Sequence, residues 1–458
     1  MFRLKKIHKY AGVLSGIVLI FLCVSGFFLN HDNWKFLYTT TLPNNILPQA
    51  TIDKEKRLYN AYYIDKEDDS HKLFCGFKGI EIFKDAVHSY KKTLDIPCYC
   101  VVASSRYYSA TTDGIYVSDD KGVSWKPFAL QGKIITSLSL DKKKLLAVID
   151  KKVLVLLDIY ANILHKGGVK LKKEELIHDI SLSRLVRDIH YGRGLFDDGF
   201  SLLWNDFSSL WLMLLATTGY GLWYMIGKIR YSKRYKKPLS LLFKIHKSFW
   251  VLIAVIPLIL LGITGIFLDH SNFFGQFLHQ TKISHKLLPP VYHTLKEDIW
   301  SADIHDGVYR IGNRYGVYES EDLQSWHLEN RGFAYKIMHD NGNIYVSGMG
   351  SKNRVLQQNR WKILNNTPHM FKSIYTENGV QKYFSSSTHD LTLPVSSHTT
   401  LYSFLLSIHD GTFFASWWVF VNDIASVLLL LLLYTGLCLW YKHIIKNNNL
   451  KVVMQNKN

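Results

Sequence analysis

Four runs of this chain, Tyr10–Leu29, Phe207–Gly227, Ser248–Leu268 and Ile424–Tyr441, are apolar over about the 20 residues that a helix needs to cross a bilayer. Lipid offers the backbone no water to bond, so such a run folds as a helix that satisfies its own N–H and C=O groups. Cations flank the runs. Residues 1–9 carry Arg3, Lys5, Lys6 and Lys9; residues 228–247 carry eight Lys and Arg; residues 442–458 carry Lys442, Lys446, Lys451 and Lys457; none of the three segments holds an acid. These account for nearly all of the net +18 left by 55 Lys and Arg against 37 Asp and Glu. Charge gathered at the ends of apolar runs orients a membrane protein and does not make a nucleic-acid face. Nucleic acid is therefore excluded as a partner.

The same charge map predicts a multi-pass membrane protein with both termini in the cytoplasm, which in a Gram-negative bacterium places the two large loops in the periplasm. The expected organisation is a cytoplasmic start and first span over 1–31, an outer β-rich segment over 32–188, and a His-Gly segment with the second span over 189–227. A basic cytoplasmic loop follows over 228–247, the third span over 248–270, a second outer β-rich segment over 271–406, the fourth span with its His-Gly segment over 407–441, and a tail over 442–458. The first run is longer than the core of a signal peptide and no A-x-A site follows, so it is read as a retained anchor. Pro257 falls inside the third span, where membrane helices tolerate a kink.

The chain is also a tandem repeat. Residues 7–31 read IHKYAGVLSGIVLIFLCVSGFFLNH and residues 245–270 read IHKSFWVLIAVIPLILLGITGIFLDH. Ile-His-x-Gly, Asn-Asp, Thr-Gly and Trp-Tyr then recur in order through 189–224 and again through 408–441. Each half is span, large loop, His-Gly segment, span, so the halves run parallel about an axis along the membrane normal. The expected fold is an α-helical four-span bundle of two parallel tandem repeats with two large β-rich extracytoplasmic loops. Such a bundle is a place to hold a cofactor between facing helices.

Histidine repeats with the spans. His8 and His246 lie at the inner ends of spans one and three, His31 and His270 at their outer ends, and His190 and His409 precede spans two and four on the outer side. His8 and His31 are 23 residues apart, about 34 Å along a helix, so they mark one site near each face of the bilayer. Neutral imidazole is the common axial ligand of haem iron, and two facing helices can supply the pair that a low-spin b-type haem needs. The six histidines are thus candidate ligands of haem b, two haems being expected, held non-covalently because no CxxCH is present. Zinc is the weaker alternative, for lack of a Cys, Asp and His cluster at ligand spacing. Their pairing stays open: His8 with His246 inside, and outside either His31 with His270 or His190 with His409. Asp206 and Asp423, the acids of the Asn-Asp pairs, either orient a ligand imidazole through its second N–H or simply favour a helix N-terminus. No catalytic residue is assigned. Trp204, Trp223, Trp417 and Trp440 read as interfacial anchors.

These residues resemble the PepSY-associated transmembrane family, which includes inner-membrane ferric-siderophore reductases and iron-regulated membrane proteins. The family's His-start helix ending in Thr-Gly is similar to 7–26 and 245–265, its H-[TS]-G-R-x-x-G to His190–Gly194 and more loosely to His409–Gly411, and its closing TG-x-x-LW to Thr218–Trp223 and Thr435–Trp440. Span one departs from it, ending Val24-Ser25-Gly26, and neither outer loop holds a recognisable PepSY module. The resemblance implies electron transfer from the cytoplasmic side, through two b-type haems, to an outer acceptor, chelated ferric iron such as a ferric siderophore. No Rossmann fingerprint, P-loop or flavin motif occurs, so the electron donor is expected to be a separate reductase, a free reduced flavin or a quinol.

The outer segments contain short β-branched or aromatic stretches between Asp, Gly and Asn turns, the pattern of strands. Ser118–Trp125 fits the S-x-D-x-G-x-x-W Asp-box hairpin and Ser320–Trp326 is a shortened echo of it. Asp-boxes look like propeller blade turns, so the two segments either form separate small β domains or pair, about three blades each, into one propeller-like domain; the repeat favours the joint assembly. Cys75, Cys98 and Cys100 can supply one disulfide with a thiol left over. His279, His285 and His293 have no repeat partner and read as surface residues. Two other function classes compete with a reductase: a membrane-anchored binding or sensor protein, which would be colourless, and a small permease, for which four spans are few.

Overall fold

The computed structural model describes residues 2–65, 68–84, 89–196, 199–228, 236–294, 298–386, 391, 394 and 396–455. Residues 229–235 of the basic loop, with Arg230, Lys233 and Arg234, lie outside this set, as does Lys457. The chain divides into two units: 1–32, 181–282 and 402–458 form one, and 33–180 with 283–401 form the other.

The first unit is helical. Its four long helices are Phe2–Leu29, Phe200–Lys228, Trp250–Asp269 and Val419–Gln455, each containing an apolar stretch long enough to cross a membrane. The second and fourth begin several residues before the apolar runs, because Trp204, Asn205, Asn422 and Asp423 continue the helical repeat at the polar end. Short helices Leu182–His190 and Leu401–His409 precede the second and fourth, and Lys236–His246 precedes the third. The first helix packs between the second and fourth, and so does the third, which places first and third across a diagonal. Leu19, Cys23, Leu212, Ala254, Leu258, Ala425 and Leu429 make the shared core. Pro257 lies within the third helix. The ring of Tyr220 lies over Gly16, and its hydroxyl donates to Val13 O at 2.8 Å and accepts from Ile17 N at 3.1 Å. A side chain thus inserts into one turn of the first helix, and only a glycine leaves room for it.

The second unit is β structure. Five four-stranded antiparallel sheets follow in chain order over 59–94, 98–129, 135–168, 301–331 and 336–363, and a two-stranded hairpin over 373–384 comes last. Both outer segments contribute to this one unit. The hairpin turns Asp306-Gly307, Asn341-Gly342 and Asn378-Gly379 have positive φ at both residues, the conformation that Asp-Gly and Asn-Gly favour. Strands such as Lys144–Ile149 and Val153–Asp158 are buried over four or five consecutive residues and do not alternate, because sheets pack on both of their faces.

The opening strand of each sheet packs against the opening strand of the next, and that of the last hairpin against that of the first sheet. Serine hydroxyls stitch these strands together. Ser137 accepts from Ala302 N at 3.1 Å, Ser139 from Ile304 N at 3.1 Å and Ser301 from Ile337 N at 3.0 Å. Ser373 accepts from Tyr62 N at 2.9 Å and donates to Tyr62 O at 3.0 Å. In both Asp-box turns the carboxylate caps backbone N–H groups: Asp120 accepts from Ser124 N, and Asp322 from Gln324 N and Ser325 N. Trp326 is buried beneath the second turn. Cys75 and Cys98 form the disulfide, which ties the first two sheets, and Cys100 is the thiol left over.

Candidate functional site

Four of the six repeated histidines meet in two pairs inside the bundle. The rings of His8 and His246 lie with centroids 6.2 Å apart, and those of His190 and His409 lie 6.3 Å apart. Their interplanar angles are 82° and 56°. His8 is on the first helix and Ser25, which belongs with the other pair, lies 17 residues further on, about 25 Å along the axis. The bundle thus carries two separate sites, one toward each end.

Each imidazole leans on a hydroxyl in a neighbouring helix. His8 Nδ1 lies 2.8 Å from Thr435 Oγ1, His246 Nδ1 2.9 Å from Thr218 Oγ1, His190 Nδ1 3.1 Å from Thr264 Oγ1, and His409 Nδ1 3.0 Å from Ser25 Oγ. All four hydroxyls already donate their single proton to the carbonyl one turn back, Leu431, Leu214, Leu260 and Phe21 respectively, at 2.6–2.7 Å. A hydroxyl has one proton to give, so each can only accept from the imidazole. Nδ1 is then the protonated nitrogen, and Nε2 keeps a lone pair for a metal.

A glycine follows each hydroxyl residue. A Cβ placed on Gly26, Gly436, Gly265 or Gly219 would meet the Cε1 of His409, His8, His190 or His246 at 3.1, 3.4, 3.5 or 3.7 Å. The dipeptide Thr-Gly, or Ser-Gly in span one, therefore does two things: the hydroxyl fixes the tautomer and the missing side chain admits the edge of the ring. Ser25 keeps the function of the threonine it replaces. In the sequence these dipeptides stand only as the ends of motifs, and their recurrence in all four spans is the signal that they have a role. At the His8 end, the histidines lie on the first long helix and on the short helix before the third, and the hydroxyls on the second and fourth. At the other end the histidines lie on the short helices before the second and fourth, and the hydroxyls on the first and third.

The remaining two histidines meet acids. His31 Nε2 lies 3.3 Å from Asp206 Oδ2, with Nδ1 donating to Phe27 O at 2.9 Å. His270 Nε2 lies 2.6 Å from Asp423 Oδ2. The second oxygen of each acid, Oδ1, is buried without a hydrogen-bond partner. The asparagines beside them hold the ring-bearing segments: Asn205 Nδ2 donates to His190 O at 3.2 Å and Asn422 Nδ2 to His409 O at 3.1 Å. Each Asn-Asp pair thus serves one histidine of each kind. His279 and His293 are exposed, and the ring of His285 lies against that of His293. Among the described residues no three His, Cys, Asp or Glu side chains gather in a way that would hold a metal ion. Two imidazoles per site is what the chain itself provides.

Residues 128–443, more than half of the chain, match the model of the PepSY-associated TM region. No curated protein matches the chain. Among solved structures, PorZ, a surface component of the type-IX secretion system of Porphyromonas gingivalis, is 9% identical over 70% of this chain and 29% of its own, with a TM-score of 0.30. Sqt1 of Saccharomyces cerevisiae is 9% identical over 69% of this chain and 64% of its own, with a TM-score of 0.32. The chain therefore spans less than two thirds of either of these proteins.

Proposed function

The chain belongs to the PepSY-associated TM region family, a multi-pass membrane family, and from that premise we propose that it is a b-type haem protein of a bacterial inner membrane. It carries electrons from the cytoplasmic side to an acceptor outside, chelated ferric iron, whose reduction loosens the hold of hard oxygen ligands. His8 with His246 serves the inner end and His190 with His409 the outer end, the termini being cytoplasmic. The donor is a separate reductase, reduced flavin or quinol.

The observation that carries this reading is the spacing of the two ring pairs. The rings of each pair lie with centroids 6.2 and 6.3 Å apart, and with Nδ1–H held by a hydroxyl each ring keeps an Nε2 lone pair, so His8 with His246 and His190 with His409 would hold one metal per pair. Two protein ligands per site also suit a metal that brings its own equatorial donors, as haem iron does. When bound, haem supplies a one-electron ferric–ferrous couple at each end of the bundle. The chain's residues do the rest. The hydroxyls of Thr435, Thr218, Thr264 and Ser25 hold Nδ1–H and aim each ring, as partners behind a metal ligand do. The glycines let the rings sit deep between helices, and the apolar core keeps water from them.

We also read the β-rich unit as a single six-sheet propeller. Its support is the succession of opening strands and the double hydrogen bond from Ser373 back to Tyr62.

The test is the visible spectrum of detergent-purified protein from haem-sufficient cells, oxidised and then reduced with dithionite, beside a His8→Ala, His246→Ala double variant. A Soret band with sharp reduced α-bands, partly lost in the variant, is expected, followed by oxidation of the reduced protein on adding ferric chelate. A colourless protein would overturn the reading.

A further inference from the structure

The β-rich unit contains an open cavity of about 270 Å³ between its fourth and fifth sheets, lined among others by Arg331, Ser351, Lys352, Arg354, Trp361 and Lys362. Four of these are cations, and none of the lining residues is an acid. Arg354 is 6% exposed. Its guanidinium donates to the carbonyls of Gly332, at 2.6 Å, and of Phe333 and Lys352, at 3.4 Å, and to Ser351 Oγ at 3.5 Å, while its Nε–H is buried without an acceptor. The indole N–H of Trp361 is buried without one as well. Arg331 reaches only the backbone oxygen of Glu175, and Lys362 only the amide of Gln357. No described carboxylate pairs with any of the four cations.

The unit treats its other buried arginines differently. Arg310 pairs with Glu329 at 2.9 Å and Arg314 with Asp298 at 2.9 Å. A buried cation without a counter-charge is costly, and burial alone pushes the Arg354 guanidinium down to about 10. Fixed, uncompensated N–H donors around an open cavity are complementary to an anion with several oxygens, which a guanidinium binds through parallel hydrogen bonds.

We infer that this cavity is a binding site for a small oxyanion, a carboxylate or phosphate group, with Arg354 at its base and Lys352 and Lys362 at its rim. The site lies wholly within the β-rich unit and stands whether or not the bundle holds haem.

The test is calorimetric titration of the full-length detergent-purified protein with citrate and, separately, inorganic phosphate, at constant ionic strength set with chloride. Lys352 and Lys362 are exposed and hold no structural hydrogen bond of consequence, so Lys352→Glu and Lys362→Glu leave folding intact. Each is expected to weaken binding at least tenfold; Arg354→Lys, if it folds, is expected to weaken it further. Binding of citrate alone assigns a carboxylate ligand, and binding of phosphate alone or of both assigns a general oxyanion site. Absence of binding by both probes, or equal binding by the Lys352→Glu, Lys362→Glu double variant, would overturn the inference. Heat of binding does not depend on haem, so its failure and that of the electron-transfer reading are told apart.

Discussion

Replacing Thr435 by valine removes one oxygen and keeps the shape of the side chain. Thr435 is 1% exposed, and its Oγ1 sits 2.8 Å from His8 Nδ1 while donating to Leu431 O. Valine leaves Leu431 O within its helix, so the bundle is expected to fold. What is lost is the acceptor for Nδ1–H. A buried donor left without a partner costs about 1–3 kcal/mol, and at 1.4 kcal/mol per tenfold that corresponds to haem held about 5- to 140-fold less tightly. The ring also becomes free to turn and to exchange tautomers. The assay is the rate of haem transfer from the purified protein to excess apomyoglobin, with Thr435→Ser as the control that restores the oxygen. Thr435→Val is expected to lose the inner haem faster, with Thr435→Ser close to wild type, and Ser25→Ala to act in the same way on the outer haem alone. If Thr435→Val keeps its haem as wild type does, while His8→Ala loses it, the tautomer argument is wrong.

The glycines should show a graded series: Gly26→Ala, whose Cβ would meet His409 Cε1 at 3.1 Å, is expected to reduce haem content most, and Gly219→Ala, at 3.7 Å, to be tolerated, as read by pyridine haemochrome. His31→Ala and His270→Ala face Asp206 and Asp423 and not another ring; both reduced α-bands should survive in them, and their loss would return these residues to the list of ligands. The Ser124 hydroxyl and amide and the Ser118 hydroxyl hold the Asp120 carboxyl down to about 2. Since an unfolded Asp titrates near about 3.9, this contribution to stability is complete above that pH and is lost as pH falls toward 2; Asp120→Asn should flatten the dependence of the melting temperature on pH between 5 and 2, followed by circular dichroism.

The four spans were legible because lipid imposes one simple demand, a long apolar run, and because the runs occur in duplicate. The β-rich character of the outer segments was legible from turn residues, and both Asp-box hairpins lie where Ser118–Trp125 and Ser320–Trp326 pointed. That both segments join in one unit was suggested by the tandem repeat, and the structure has it; the bounds of the single strands were not legible, because short strands buried on both faces carry no period to count. The choice of Cys98 over Cys100 as the partner of Cys75 follows from how two sheets abut, which the spacing of cysteines does not encode. At the site, equivalence between repeats singled out six histidines. Which of them face each other depends on helices being diagonal or adjacent, a property of the packed bundle. Ser25 looked like a departure from a motif, and only its contact with His409 shows that the oxygen mattered more than the methyl.

Every contact that defines the two ring pairs joins one half of the chain to the other. His8 meets His246 and leans on Thr435; His246 leans on Thr218; His190 meets His409 and leans on Thr264; His409 leans on Ser25. This is the pattern of an isologous interface, in which residue i of one subunit touches residue j of the other and the reverse holds too. A single half made as a separate polypeptide has histidines and hydroxyls but no complete pair. Two copies of it around a twofold axis would have both. The present chain has the form of a dimer fused into one polypeptide, and fusion releases the two copies from being identical. Ser25 against Thr264, and Asn30 against Asp269, are differences that no homodimer can carry on one side only.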